Sequence, residues 1–157
     1  MSYYIENIFL CLAVPLILSM LFRKGKQRTF TTFVILGMGC CLLSAYVSSF
    51  FAGYYHAGTA AAVMEITPVC EEVMKFLPLL FYLLVFEPDK QEVISPAIGI
   101  AVGFATFENV CYLTENGAAD FYDILIRGVS AGSLHLLCGI ALSCGIAYVF
   151  RKKWIMV

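Results

Sequence analysis

The sequence predicts an all-α polytopic membrane protein, a bundle of about five transmembrane helices forming a single domain over residues 1–157. Composition is the first reason, because 61% of the residues are hydrophobic and only 13% are charged. A soluble domain of this length has too little interior to bury so much apolar surface. The second reason is that five apolar stretches are long enough to span a membrane, since a spanning helix needs roughly 20 residues. These stretches cover residues 4–22, 30–52, 61–86, 93–113 and 122–150.

Basic residues in the short connections predict the orientation of the bundle. Four Lys or Arg residues lie within residues 23–28, and three more lie at residues 151–153. The connections near residues 54–56 and 114–120 contain neither Lys nor Arg. Since positive segments remain in the cytoplasm, we expect an outer N-terminus, a cytoplasmic C-terminus and a multi-pass location in the cell membrane. The first stretch has no basic region before it, so it is expected to be a span and not a cleaved signal peptide.

Charge and cysteine content exclude several other classes of protein. The net charge is −1 and no basic stripe is present, so we expect no nucleic-acid partner. The seven cysteines lie in or beside apolar stretches, form no CxxC pair and are odd in number. This pattern is typical of small packing residues and disfavours a disulfide framework.

Two adjacent acids, Glu71 and Glu72, interrupt the third apolar stretch. An acid at the centre of a spanning helix costs about 2.5 to 3.5 kcal/mol on insertion scales, so an intramembrane acid indicates a functional site. Lys75 follows at spacings of four and three residues, which place its side chain beside both acids on a helix. We therefore expect Lys75 to pair with one of the two carboxylates.

The fourth and fifth stretches carry Glu108 and His135, with Arg127 near the beginning of the fifth. At 1.5 Å per residue, the glutamates and the histidine lie at overlapping depths in the outer half of the bilayer. Ionisable groups from three helices at similar depth predict one shared cavity. Pairs of glycines four residues apart, which permit close helix packing, occur in both stretches. They are Gly99 with Gly103 and Gly128 with Gly132.

Glutamates and a histidine together can activate water for hydrolysis. One carboxylate would act as general base while a second group protonates the leaving amine. The same side chains are also ligands for a divalent metal such as zinc. The sequence contains neither a GxSxG nor an HExxH motif, and it leaves metal-dependent and glutamate-only chemistry both open.

At these positions the chain resembles the PrsW family of bacterial intramembrane proteases. Residues 71–75 match its EExxK motif, residues 104–109 match its FxxxEN motif, and a later histidine follows an arginine. The wider group includes the CAAX-processing (Abi) membrane endopeptidases and a γ-secretase subunit. The prenyl endopeptidases place His at the position of Glu108 and Arg at that of Lys75, so the PrsW branch is the better match. The resemblance covers about residues 64–146.

The resemblance implies an intramembrane endopeptidase with its catalytic core in residues 61–150. The implied catalytic residues are Glu71, Glu72, Glu108 and His135, supported by Lys75, Asn109 and Arg127, and the implied metal ligands are Glu72, Glu108 and His135. The implied substrate is a membrane-anchored protein or peptide, such as an anti-sigma factor, cut on the outer side of a bacterial plasma membrane. The oligomeric state stays open.

Two other functions are compatible with the same residues. A non-enzymatic membrane scaffold, like the γ-secretase subunit, would tolerate replacement of the acids by amides. A proton-coupled transporter would use the acids and the histidine as a relay. The absence of an inverted repeat in the sequence argues against the transporter.

Overall fold

The computed structural model of the protein describes residues 5–116 and 120–151, and almost all of these residues are helical. The helices are α1 (Ile5–Ser19), α2 (Lys26–Tyr54), α3 (Thr59–Ala61), α4 (Thr67–Phe86), α5 (Lys90–Asn116) and α6 (Phe121–Arg151). A π-helical segment, Ala62–Ile66, joins α3 to α4 without a break. No strand occurs in the described ranges, so the predicted all-α fold is confirmed.

The described helices differ in their capacity to cross a membrane. Three are long and apolar enough, namely α2, residues 92–115 of α5 and residues 121–146 of α6. Helix α1 has 15 residues and is about 22 Å long, less than the roughly 30 Å of a bilayer core. Helix α4 has 20 residues but includes the charged Glu71, Glu72 and Lys75. Five crossings and the outer N-terminus therefore stay predictions.

Some predicted features fall partly or wholly outside the described residues. They are Tyr4 at the start of the first stretch, residues 117–119 of the fourth connection, and Lys152 and Lys153 at the cytoplasmic end. Because α5 continues to Asn116 and α6 begins at Phe121, the connection predicted at residues 114–120 is shorter than expected.

Helix α2 lies at the centre of the bundle and packs against α1, α4 and α5. Glycines let α2 and α5 approach at backbone distance. A Cβ atom built on Gly103 would lie 1.9 Å from the carbonyl oxygen of Val34, and one on Gly37 would lie 2.2 Å from that of Ile100. The close approach predicted at Gly99 and Gly103 is confirmed, and its partner is α2.

The close helix contact predicted at Gly128 and Gly132 of α6 was wrong. A Cβ atom on Gly128 or Gly132 would meet no atom of a neighbouring helix within 4 Å. Both glycines are half-buried and lie on the face of α6 that carries His135, beside open space. The tight contact of α6 occurs further along, where a Cβ on Gly139 would lie 3.2 Å from the Ala97 carbonyl oxygen. Glycine spacing alone does not show where along a helix the close contact lies.

Two apolar clusters hold α2, α4 and α5 together. Buried residues of the first cluster are Phe33, Leu79, Leu83, Val93, Ala97 and Ile100. Buried residues of the second are Met38, Cys40, Cys41, Phe104 and Phe107, and α1 packs against this cluster. Many large apolar side chains lie on the outer surface instead, as expected where lipid is the solvent. The polar side chains of the site lie beside the inward face of α5.

The π-helical segment lies just before the acidic pair. The hydroxyl of Thr67 donates a hydrogen bond to the Ala62 carbonyl five residues earlier, at 3.0 Å. Pro68 follows and has no N–H to continue the regular ladder. A π segment inserts one residue into a helix and is often found at functional sites. This segment therefore sets the direction in which the side chains of Glu71 and Glu72 project from α4.

Candidate active site

A line of polar contacts joins α4, α5 and α6. Lys75 Nζ lies 2.5 Å from Glu72 Oε1 and 2.9 Å from His135 Nδ1. His135 Nε2 lies 2.7 Å from Glu108 Oε2. The other carboxylate oxygen of Glu108 accepts a hydrogen bond from Arg127 Nη2 at 3.0 Å. The expected pairing of Lys75 is thus found with Glu72, and residues far apart in the sequence meet at one level of the bundle.

The aromatic ring of Phe104 packs against the centre of this line, where Lys75 meets His135. Lys75 and His135 are 5% and 6% exposed, and Phe104 is fully buried between α4 and α6. Lys75 Nζ lies 4.5 Å from the centroid of the Phe104 ring, and the imidazole centroid of His135 lies 5.0 Å from it. The ring offers the ammonium a cation–π contact but no acceptor. Lys75 and His135 must therefore satisfy their hydrogen bonds through each other and the two glutamates.

With Lys75 as an ammonium, the contacts of His135 assign its tautomer. A lysine ammonium has only donors, so Nδ1 of His135 accepts from Lys75. Nε2 then carries the imidazole proton and donates it to Glu108. The imidazole is neutral in this arrangement, held between a cation on one side and a carboxylate on the other. Both oxygens of Glu108 accept hydrogen bonds, one from His135 and one from Arg127.

Glu71 has different surroundings from its neighbour Glu72. Within residues 5–116 and 120–151, its side chain has no hydrogen-bond or ion-pair partner. It lines a cleft of about 260 Å³ together with Glu108 and Arg127. Glu72 is 47% exposed and is paired with Lys75. The two adjacent acids therefore separate into one paired carboxylate and one unpaired carboxylate that faces the cleft.

Helix α2 forms the opposite wall of this cleft, which the sequence interpretation missed. Cys41, Ser44 and Ser48 all line the cleft. These residues recur at spacings of three and four, so they share one face of α2. That spacing of small residues was the available signal. It was weak because small residues are also the usual packing residues of membrane helices.

Two buried polar atoms near the site have no hydrogen-bond partner in the described part of the chain. They are Oδ1 of Asn109 and Nε of Arg127. Asn109 was expected to support the catalytic residues, but its side-chain oxygen joins none of the contacts above. The guanidinium of Arg127 stacks over Tyr112 at 3.8 Å from the ring centroid. Buried polar atoms are rarely left unpaired. A bound group can therefore donate a hydrogen bond to Oδ1 of Asn109 and accept one from Nε of Arg127.

A family model described as PrsW family intramembrane metalloprotease matches residues 25–156. The chain belongs to this family. It is therefore a membrane-embedded protease, which favours the protease over the scaffold and transporter alternatives. Searches of curated proteins and of solved structures each found no match.

The PrsW-family match covers α2 as well as α4, α5 and α6. It includes every residue of the polar line (Glu72, Lys75, His135, Glu108 and Arg127) and every residue that lines the cleft except Ile5. Helix α1 lies before the matched range. The family assignment therefore rests on the four helices that surround the site.

The family description implies a bound metal ion. Within the described ranges, no three His, Cys, Asp or Glu side chains are placed to hold a metal ion. The expected ligands Glu72, Glu108 and His135 do not converge, because the ammonium of Lys75 separates Glu72 from His135. The donor types nevertheless fit, since a carboxylate oxygen and an imidazole nitrogen approach one cation. Metal-binding histidines also commonly donate their second N–H to a carboxylate, as His135 does to Glu108.

Proposed function

We propose that this PrsW-family protease hydrolyses a peptide bond of a membrane-anchored protein, with Glu71 as the general base. The observation that carries the proposal is the difference between the two adjacent acids. Glu72 is neutralised by Lys75, whereas Glu71 faces the cleft with no partner in the described ranges. A general base needs a free carboxylate within reach of the attacking water. Glu71 meets that requirement and Glu72 does not.

Glu108 is the residue that would protonate the leaving amine. It lines the cleft with Glu71 and receives the Nε2 hydrogen of His135. In the proposed reaction, water loses a proton to Glu71 and its oxygen attacks the peptide carbonyl carbon. The carbon–nitrogen bond then breaks, and the amine takes a proton from Glu108. Glu108 regains a proton from Nε2 of His135 as the ammonium of Lys75 passes one of its own protons to Nδ1, so the imidazole stays neutral. Lys75 holds His135 in the orientation and tautomer that this transfer needs.

A divalent metal is compatible with the same roles. Glu72 and His135, whose acceptor atoms both face the ammonium of Lys75, are the side chains that would hold it. When bound, such a metal supplies Lewis-acid polarisation of the peptide carbonyl. Glu71 stays the base, and Glu108 stays the acceptor of the Nε2 hydrogen of His135, with or without the metal.

The substrate and location follow from the family resemblance and the charge distribution. We propose a membrane-anchored regulator such as an anti-sigma factor, in the plasma membrane of a bacterium. The cleft lies at the ends of α2, α4, α5 and α6 that the basic connections predict to face outward. Cleavage is accordingly expected on the outer side.

The test is cleavage of a quenched fluorescent reporter by purified protein in detergent micelles. Glu71→Gln should lower the cleavage rate by about 10²- to 10⁴-fold, the usual contribution of a general base. The matched control is Glu65→Gln, because Glu65 is an exposed acid one to two turns earlier on the same continuous helix. Undiminished cleavage by Glu71→Gln would refute its role as base.

The metal is tested on the same wild-type protein. Loss of cleavage on chelation, with recovery on addition of zinc, supports a metal held by Glu72 and His135. Unchanged cleavage after exhaustive chelation would contradict the metal and would leave the role of Glu71 in place.

A further inference from the structure

A second cleft lies at the end of the bundle away from the acids, the end that the basic connections predict to face the cytoplasm. The connection after α1 meets the first turns of α2 and α5 there. This basic cleft is lined by Arg23, Lys26, Gln27, Phe30 and Ser95. Among the described residues its lining offers two cations, an amide and a hydroxyl, and it includes no acid. The basic cleft therefore presents positive charge and hydrogen-bond donors to an anion.

The guanidinium of Arg23 is held in place at the basic cleft. Its Nη1 donates a hydrogen bond to Thr31 Oγ1 at 2.9 Å, and Thr31 is only 3% exposed. The Thr31 hydroxyl in turn donates to the Gln27 carbonyl at 3.0 Å. Gly25 has a φ of 55°, which residues with a side chain rarely adopt, and it turns the chain into α2. The bond to Thr31 uses one N–H of the guanidinium, and the others can bind a phosphate in the planar geometry that both groups share.

No acid neutralises these cations in the part of the chain that the structure describes. The ion pairs found there join only residues of the candidate active site. Glu92 lines a neighbouring cleft that shares Lys26 and Ser95 with the basic cleft, yet it forms no ion pair with Lys26. The exposed basic residues of the connection and the first turn of α2 are Arg23, Lys24, Lys26 and Arg28. Their charge is therefore available to an anion from outside the chain.

The two residues before Arg23 indicate where that anion comes from. Leu21 and Phe22 are 75% and 89% exposed, although both are large and apolar. Among the described residues, Phe22 is the most exposed large apolar side chain. Exposed apolar residues beside Lys and Arg are typical of segments that lie in the membrane interface and bind anionic lipids. A soluble phosphate would make no use of these apolar side chains, so they favour a lipid.

We infer that the basic cleft binds the phosphodiester headgroup of one anionic phospholipid. Arg23 and Lys26 supply the charged contacts, and the hydroxyl of Ser95 donates to a phosphate oxygen. Leu21 and Phe22 lie in the interface beside the acyl chains. Since Lys26 belongs to α2 and Ser95 to α5, the bound lipid contacts both helices of the close glycine contact. The site lies apart from the acids and does not depend on the proposed peptidase function.

The first experiment measures how lipid stabilises the full-length wild-type protein in an uncharged detergent. Phosphatidylglycerol is added at increasing concentration, and phosphatidylcholine with the same acyl chains is the control lipid. A ligand that binds only the folded protein raises its stability, so phosphatidylglycerol should raise the melting temperature. Phosphatidylcholine should leave it unchanged, because its choline cation offsets the charge of the phosphate. Equal shifts with the two lipids would overturn the inference.

The second experiment distinguishes a defined site from diffuse attraction to positive charge. The double variant Arg23→Gln with Lys26→Gln removes both charged contacts of the basic cleft. The matched control, Arg28→Gln with Lys24→Gln, removes one Arg and one Lys from the same segment, and neither residue lines the cleft. Loss of a charge-assisted hydrogen bond lowers affinity by about tenfold or more. The first variant should therefore need at least about tenfold more phosphatidylglycerol for the same shift, and the control about the wild-type amount. Equal weakening in both variants would contradict a defined site.

Inorganic phosphate at millimolar concentration tests the commitment to a lipid. It shares the charged oxygens but has no acyl chains, so it should not raise the melting temperature. A shift as large as that with phosphatidylglycerol would assign the basic cleft to a soluble phosphate and would refute the lipid. If the double variant fails to fold because Arg23 also bonds Thr31, Lys26→Gln and Lys24→Gln alone make the same comparison. None of these measurements uses cleavage, so a wrong assignment of the catalytic base would leave their outcome unchanged.

Discussion

Gly103→Ala tests whether the contact between α2 and α5 positions the site. The added Cβ would lie 1.9 Å from the Val34 carbonyl oxygen and 2.8 Å from the carbonyl carbon. An ordinary C···O contact is about 3.3 Å or more, so the two helices must separate by about 1.4 Å. Both atoms belong to the backbone of α2, so no rotamer change can relieve the overlap. Overpacking of this kind costs about 1 to 3 kcal/mol.

The displacement would reach the catalytic groups, because Phe104 and Glu108 follow Gly103 on the same helix. A misplacement of about 1 Å can reduce catalysis by about 10²-fold. We expect Gly103→Ala to lower the melting temperature in detergent by several degrees, and cleavage of the reporter by about two orders of magnitude. Circular dichroism at 222 nm measures the first and reporter fluorescence the second.

Gly132→Ala is the matched control, since it makes the same substitution inside a helix but its Cβ meets no neighbour within 4 Å. It should keep wild-type activity and be as stable as wild type or slightly more stable, because alanine reduces the freedom of the unfolded chain. If Gly103→Ala and Gly132→Ala behave alike in both assays, the glycine contact does not position the site and the reasoning fails.

Three further changes probe the site and its support. Lys75→Met removes the buried ammonium and leaves its two acceptors, Glu72 Oε1 and His135 Nδ1, unpaired. It should therefore destabilise the protein by about 1 to 3 kcal/mol and abolish reporter cleavage. A variant that is as stable and active as wild type would contradict this. Arg127→Lys keeps the charge but loses the planar stack on Tyr112, so we expect a drop in kcat/KM of about tenfold, and unchanged kinetics would argue that charge alone suffices. Leu79→Ala leaves a cavity at a fully buried position and should cost about 2 kcal/mol or more in thermal unfolding, whereas Leu84→Ala on the exposed surface should cost far less.

The residues of the site were predictable to the extent that they are anomalous in an apolar chain. Glu71, Glu72 and Lys75 stand out because charge is costly in a spanning helix, and helical spacing alone predicts the lysine–glutamate pair. Their meeting with His135 was expected from depth along the helices. The helical fold and the approximate bounds of the long helices followed from apolar length in the same way.

The contribution of α2 could not be predicted on the same grounds. Ser44 and Ser48 are small, uncharged and unremarkable in an apolar helix, and their position opposite Glu71 depends on how α2 packs. The different surroundings of Glu71 and Glu72 also depend on packing, because helical spacing makes both acids neighbours of Lys75. Spacing misled in the case of Gly128, since sequence does not show which part of a helix lies close enough to a neighbour to make the contact.

The π-helical segment Ala62–Ile66 has a consequence for how this protein tolerates change in chain length. A single-residue deletion in a regular helix turns everything on one side of it by about 100° relative to the other side. A π segment already contains one residue more than an α turn, so removing one residue there can restore regular winding. The acids of α4 and their partners on α5 and α6 would then stay in place, and α3 would keep its orientation as well. Length variation among related chains is therefore best accommodated in this segment.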